Sequence, residues 1–270
     1  MSLKVLYEDN HIIAVVKPAG VLTQGDRSGE VSLYDMVKDY IKEKKNKKTP
    51  SNPSGQAGNV FLGLVHRLDK PVSGIVLFGK TSKGASRLSE QFRNHTIQKT
   101  YHGIVVGKPK ESRGVLKEKV NKISFFAEGF TNKTDQELLA EIKKATKTRT
   151  AELEYEVVPI LEASRMLGGE VPTKSRTHER VGAAGIKSGK YSLLKIMPKT
   201  GRFHQIRIQM AQMGCPILGD AKYSNQRSLP DKSIGLCATA ISFKLATGSK
   251  TLSLEIPLPK GWGEYIHPVK

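Results

Sequence analysis

Residues 66–74 read His-Arg-Leu-Asp-Lys-Pro-Val-Ser-Gly. This places the Asp69 carboxylate two residues after Arg67 and next to Lys70. Asp69 is thus an acid set among bases at a strand-bounded turn. An ionised carboxylate can do nucleophilic or general-base work; it can equally cap a turn or join a surface ion pair. Other side chains of chemical interest are Tyr101, Arg207 in His-Gln-Ile-Arg, and Asp220 in Gly-Asp-Ala-Lys. His66 and His204 match no metal-ligand spacing, and structural or hydrogen-bonding roles fit them better. Cys215 and Cys237 form no Cys-x-x-Cys or Cys/His pattern, so no metal site is implied.

The elements that must position these residues follow from apolar spacing. Residues 61–81 are two apolar runs split by a polar cluster that contains Asp69, Pro71 and Gly74. That pattern puts Asp69 on a loop between two buried strands, with Ile75 and Val76 in strand core; loops held by rigid strands are where sites tend to lie. Residues 4–18 read as two short strands around a turn, stopped by Pro18 and Gly20. Helical spacing predicts a helix over 33–45 and another over 82–94, the latter capped by Ser82. Residues 46–59 read as a surface loop. Strands are predicted at 99–107, at 150–158 with strict alternation, at 191–198, and near 234–245 and 250–256. Residues 200–216 read as a turn followed by a helix that Gly214 and Pro216 stop. The lysine-rich stretch 108–148 allows a hairpin and a short helix at 134–145, and 162–190 reads as an irregular excursion. Together these give an α+β class with a mixed, mostly antiparallel central sheet and flanking helices.

Lys and Arg total 44 against 25 acids, a formal charge of +19 with pI near 9.8. Basic side chains release counterions from phosphates, so a nucleic acid is a natural partner. Many of the lysines lie in runs such as 42–48, which solvation alone would explain. No run approaches the length of a membrane span, and the N-terminus lacks an apolar signal core. Two cysteines in 270 residues fit a reducing compartment, the cytoplasm.

His-Arg-Leu-Asp-Lys-Pro-Val-Ser-Gly resembles the signature of the RluA-type pseudouridine synthases, whose pattern is His-Arg-Leu-Asp, two variable residues, then Thr-Ser-Gly. Three further blocks are similar to the family's, in the family's order: residues 6–23 ending in Lys-Pro-Ala-Gly-Val-Leu-Thr, residues 98–107 around Tyr101, and residues 193–223 around Arg207. One departure is Val72 where the family has Thr; it lies three residues past the acid, so a packing or turn effect is expected. The family often carries an N-terminal S4 RNA-binding domain, for which this chain leaves no room before its first block. The expectation is one catalytic domain over 1–270, with 108–148 and 162–190 as variable insertions.

The resemblance implies an RNA uridine isomerase that works without cofactor or metal on ribosomal or transfer RNA, as a monomer and off the membrane. Asp69 matches the catalytic aspartate, which attacks the ribose or removes a sugar proton as uracil departs. Tyr101 matches the tyrosine that stacks on uracil and helps to remove the C5 proton. Arg207 matches the arginine that pairs with the aspartate, and Ile208 beside it is either a pocket wall or core. Arg67 resembles the arginine that fills the stack when the target base flips out. His66 is placed with the substrate-binding set, and Lys17, Arg202 and Lys222 are expected phosphate contacts. Two rival readings are a non-catalytic RNA-binding or ribosome-assembly protein on the same fold, and a hydrolase using Asp69 with Asp220.

Overall fold

A computed structural model describes residues 3–48, 60–120, 149–167 and 190–266. It divides into two compact units: residues 1–99 with 230–256, and residues 100–229 with 257–270.

In the first unit, β1 (Lys4–Glu8) and β2 (Ile12–Lys17) form the expected hairpin, turned by Asp9. The Asp9 carboxylate accepts from the backbone N–H of His11 and Ile12, both at 2.7 Å. Helix α1 (Leu33–Lys48) follows and buries Leu33, Val37 and Ile41. It runs three residues past the expected end, into the lysine run; residues 49–59 lie outside the described residues. The expected strand pair around Asp69 is unequal. The first run yields only β3 (Gly63–Leu64), whereas the second gives β4 (Ser73–Gly79), whose last six residues are all buried. β4 pairs along its length with β2, antiparallel, and at Ser73 and Gly74 with β9 (Leu236–Lys244), parallel; both of its faces are buried, which accounts for its unbroken apolar run. β10 (Thr251–Glu255) completes the edge on β9. Helix α2 (Ser82–Arg93) is capped by Thr81, not Ser82: the Thr81 hydroxyl accepts from Gly84 N–H at 3.1 Å. The cap falls one residue earlier because the residue with extended backbone is Thr81.

In the second unit the order is β5 (Gln98–Val106), β8 (Tyr191–Pro198), β7 (Arg149–Val157), β6 (Arg113–Val120), antiparallel throughout. β6, from the lysine-rich stretch, pairs with β7, which lies beyond that stretch, rather than within a hairpin of its own; 121–148, with the helix expected at 134–145, lies outside the described residues. Ala151, Leu153 and Tyr155 of β7 point inward as the alternation predicts. The excursion expected from residue 162 instead starts in helix α3 (Ile160–Met166), which buries Ala163; residues 168–189 lie outside the described residues. Helix α4 (Gln205–Gln212) is followed by Gly214 at φ +80, the expected stop. Gly263–Ile266 forms a last short helix, α5. The α+β class with a mixed, mostly antiparallel sheet is the architecture found.

One glycine is fixed by the sheet. Gly74 has φ +130, and a Cβ there would collide with the backbone of Ala238 on the parallel neighbour β9. Gly74→Ala is therefore expected to destabilise the protein by about 2–4 kcal/mol, read as a shift in the midpoint of urea unfolding.

Candidate active site

Asp69 lies on the loop between β3 and β4, half-buried. Four successive carbonyls of this loop are each engaged. Leu68 C=O accepts from the Thr23 hydroxyl at 2.7 Å, and Leu68 N–H donates back to the same oxygen at 3.1 Å. Asp69 C=O accepts from Val72 N–H at 3.0 Å, closing a turn around Lys70 and Pro71. Lys70 C=O accepts from Gly20 N–H at 2.8 Å and from the Lys17 ammonium at 3.1 Å. Pro71 C=O accepts from Ile234 N–H at 3.3 Å. A backbone with this many partners has little freedom, so the carboxylate it carries is held in place. Val72, where the resembled pattern has Thr, is 2% exposed. Its side chain packs in the core while its N–H makes the turn.

Lys17, expected as a phosphate contact, is instead fully buried, with 0% exposure. Its Nζ donates to Pro18 C=O at 2.9 Å, Val21 C=O at 2.7 Å and Lys70 C=O at 3.1 Å. Three acceptors match the three N–H groups of an ammonium. Burial pushes the Lys17 pKa down to about 7, and the charge of Asp69 opposes that shift. Lys17 thus acts from behind the loop, as a strut and as a positive charge near the carboxylate.

His66, placed with the substrate-binding residues from the sequence, accepts from Leu77 N–H through Nε2 at 2.9 Å and stacks on Phe92 at 4.6 Å. Burial, with Lys99 adding to it, pushes its pKa down to about 3. The ring is a neutral brace between the loop and β4. Arg67, beside it, is exposed. A cleft of about 490 Å³ in the same unit is lined by Lys83, Arg87, Glu90 and Lys244. It adjoins the end of β9 remote from Ser73 and includes none of the residues singled out from the sequence.

The second unit carries Tyr101, half-buried on β5 opposite Ile196, and Arg207 on α4. Arg207 is 5% exposed, so it is not a helix-surface residue. Its Nε and Nη2 donate to the two carboxylate oxygens of Asp220, both at 2.8 Å. The guanidinium carbon lies 4.9 Å from the Tyr223 ring centre. Nη1 faces the His204 ring at 3.4 Å, and His204 Nδ1 meets the Tyr223 hydroxyl. Sequence reasoning missed this role for Asp220, whose turn setting was read correctly but whose partner was not. With both oxygens on one guanidinium, Asp220 is poorly suited to be the second acid of a hydrolase. Ile208 is core, packed with Ala151 and Tyr223. Arg202 is half-buried and donates through Nε to Thr150 C=O at 3.1 Å. Among the described residues, no group of three or more His, Cys, Asp or Glu could hold a metal.

Residues 11–212 match the family model described as RNA pseudouridylate synthase. The chain is 32% identical over 228 residues to the tRNA pseudouridine synthase C of Yersinia pestis, covering 83% of this chain and 72% of that protein. It is 29% identical over 257 residues to the ribosomal large subunit pseudouridine synthase C of Rickettsia bellii, covering 94% and 68%. Among solved structures, human RNA pseudouridylate synthase domain containing 4 superposes with a TM-score of 0.64 at 19% identity, covering 96% of this chain and 90% of that one.

Two predictions come from the braces around Asp69. Lys17→Met removes the ammonium donor from Pro18 and Val21 C=O and one of the two donors from Lys70 C=O, and is expected to lower unfolding free energy by about 2–4 kcal/mol, measured by urea titration at neutral pH. The second concerns acid. In the unfolded chain His66 takes up its proton near 6.5, whereas the folded ring does so only near 3. Between these values the unfolded chain binds more protons, so stability falls as pH drops through that window. At pH 4.5 the loss is roughly 2–3 kcal/mol. His66→Gln keeps an acceptor for Leu77 N–H and should flatten the slope between pH 6.5 and 4.5 by about that amount.

Proposed function

The chain belongs to the RNA pseudouridylate synthase family and is an RNA uridine isomerase, and on that premise we propose that Asp69 is its catalytic carboxylate. The observation that carries this reading is the braced loop: every carbonyl from Leu68 to Pro71 is engaged, and Asp69 alone in this stretch brings a carboxylate. The reaction breaks the bond from ribose C1′ to uracil N1, turns the base, and joins C1′ to C5. The C5 proton is then lost and N1 regains one. A carboxylate serves the first step either by capturing the sugar or by removing a sugar proton. Fixing it beforehand removes the entropy of finding that position during reaction.

Tyr101 and Arg207 are assigned with Asp69 on the family's pattern. Tyr101 stacks on the detached uracil and assists removal of the C5 proton. Arg207 brings a guanidinium that is itself held by Asp220, by the Tyr223 ring and by the His204 ring nitrogens. Such support fixes its direction, as a carboxylate partner requires. Arg67, exposed on the Asp69 loop, fills the gap left by the flipped base.

The substrate is a uridine of ribosomal or transfer RNA, the two classes named in the relatives from Rickettsia bellii and Yersinia pestis. We place the enzyme in the cytoplasm as a monomer; both cysteines are free and buried, which fits a reducing compartment.

The test is tritium release from RNA labelled at uridine C5, taken from cells lacking this gene. Asp69→Asn is expected to lower the rate by on the order of a thousandfold or more while leaving RNA binding intact. Tyr101→Phe should lower it by roughly ten- to a hundredfold. Release by the Asn variant at the native rate would sink the assignment. Pseudouridine mapping of ribosomal and transfer RNA from the same cells then names the site.

A further inference from the structure

Among the described residues, four large apolar side chains are notably exposed: Val31, Phe61, Val115 and Phe203. Single exposed apolar residues need no explanation in general. Phe203 differs in how it is mounted. It lies two residues before α4, the helix that carries Arg207 in its first turn, and remains 53% exposed.

The mount is rigid. Gln205 reaches back with its side-chain carbonyl to accept from Arg202 N–H at 2.9 Å and faces the Thr200 hydroxyl at 2.8 Å, while its amide donates to Glu152 C=O at 3.0 Å. Arg202 ties the same loop to Thr150. The loop is therefore fastened to β7 on both sides of Phe203. Behind the ring, His204 stacks almost parallel at 3.8 Å and 15°. His204 holds φ at +52, a conformation that costs a non-glycine residue energy and that tends to persist at functional sites. The Lys222 ammonium lies 6.0 Å from the Phe203 ring centre and 5.8 Å from that of Tyr223. An aromatic face, rigidly backed and flanked by a cation, is the arrangement that takes a nucleobase and its phosphate.

We propose that Phe203 is a stacking platform for a nucleobase of the RNA adjoining the uridine that is isomerised, with Lys222 countering the neighbouring phosphate. The proposal rests on the reading of Arg207 as part of the active site, because that is what sets Phe203 beside the reacting nucleotide. Stacking accepts any base, since every base has a π-face. Phe203 therefore adds affinity without choosing sequence, and it holds the strand on one side while the target nucleotide is turned out.

The test uses a fluorescein-labelled oligouridylate of about ten nucleotides, a length within the range of single-strand sites. Binding is followed by anisotropy at low salt. Phe203→Ala and Phe203→Leu are each expected to weaken binding about tenfold, because both lose the ring and Leu keeps the apolar bulk. Phe203→Trp should bind within about twofold of the native protein, and its emission should be quenched by the RNA, whereas the buried Trp262 of the native protein should give no quench. Unchanged melting temperatures confirm that the variants fold. Native affinity in both Ala and Leu variants, or in Leu alone, would overturn the proposal, as would a Trp variant that is not quenched. The two readings fail separately. Asp69→Asn should bind the oligonucleotide like the native protein, and tritium release by Asp69→Asn at the native rate with intact Phe203 effects would remove the Asp69 assignment while leaving the platform.

Discussion

The Lys17 ammonium is the interaction on which the Asp69 loop depends. A charge taken out of water is costly unless its hydrogens and its field are matched. Here three carbonyls take the hydrogens and Asp69 supplies the opposing charge. The ammonium ties the turn after β2 to the loop before β4, two segments that are distant in sequence. Thr23 and Gly20, from the same turn, make the neighbouring bonds to Leu68 and Lys70. The opening block of the sequence therefore works as a template that gives the Asp69 loop its shape.

The second unit repeats this logic with a different chemistry. A guanidinium cannot lose its charge, so Arg207 needs a partner wherever it is buried. Asp220 meets it with two parallel bonds, which set both the plane and the direction of the group. Tyr223 supplies an aromatic face, and His204, meeting both Arg207 Nη1 and the Tyr223 hydroxyl, closes the ring of contacts. Removing any one member would leave a buried polar group without its match, so these residues are constrained as a set.

Much of this was legible in the sequence. The apolar run of β4, the strict alternation in β7 and the Gly214 stop of α4 follow from periodicity and turn chemistry, and the structure has all three. What sequence could not supply was direction. Lys17 is a lysine at the end of a strand, and nothing in its neighbours says whether its ammonium turns outward to phosphate or inward to carbonyls. His66 lies next to Arg67, yet one side chain is spent on Leu77 N–H and the other is exposed. Adjacent residues on an extended segment face opposite ways, and which face is buried depends on partners far along the chain. Asp220 was misjudged for a related reason. Its turn was readable, but the guanidinium it meets comes from a helix thirteen positions earlier. The helix that starts at Ile160 and runs into the stretch read as irregular from residue 162 shows that a short helix packed by Ala163 leaves too little periodicity to detect.

The parallel pairing of β4 with β9 has a consequence for how the protein is made. Ile234, whose N–H holds Pro71, and Ala238, which leaves no room beside Gly74, come from a segment translated long after the Asp69 loop has left the ribosome. Until that segment arrives, one face of the loop and one edge of β4 lack their partners. Closing so long a span of chain is slow in entropic terms and leaves a hydrophobic strand edge open in the interval. A nascent chain that already displays the full Asp69 signature is thus still without the framework that shapes it. Competence would switch on only when the strand that carries Ala238 docks beside β4.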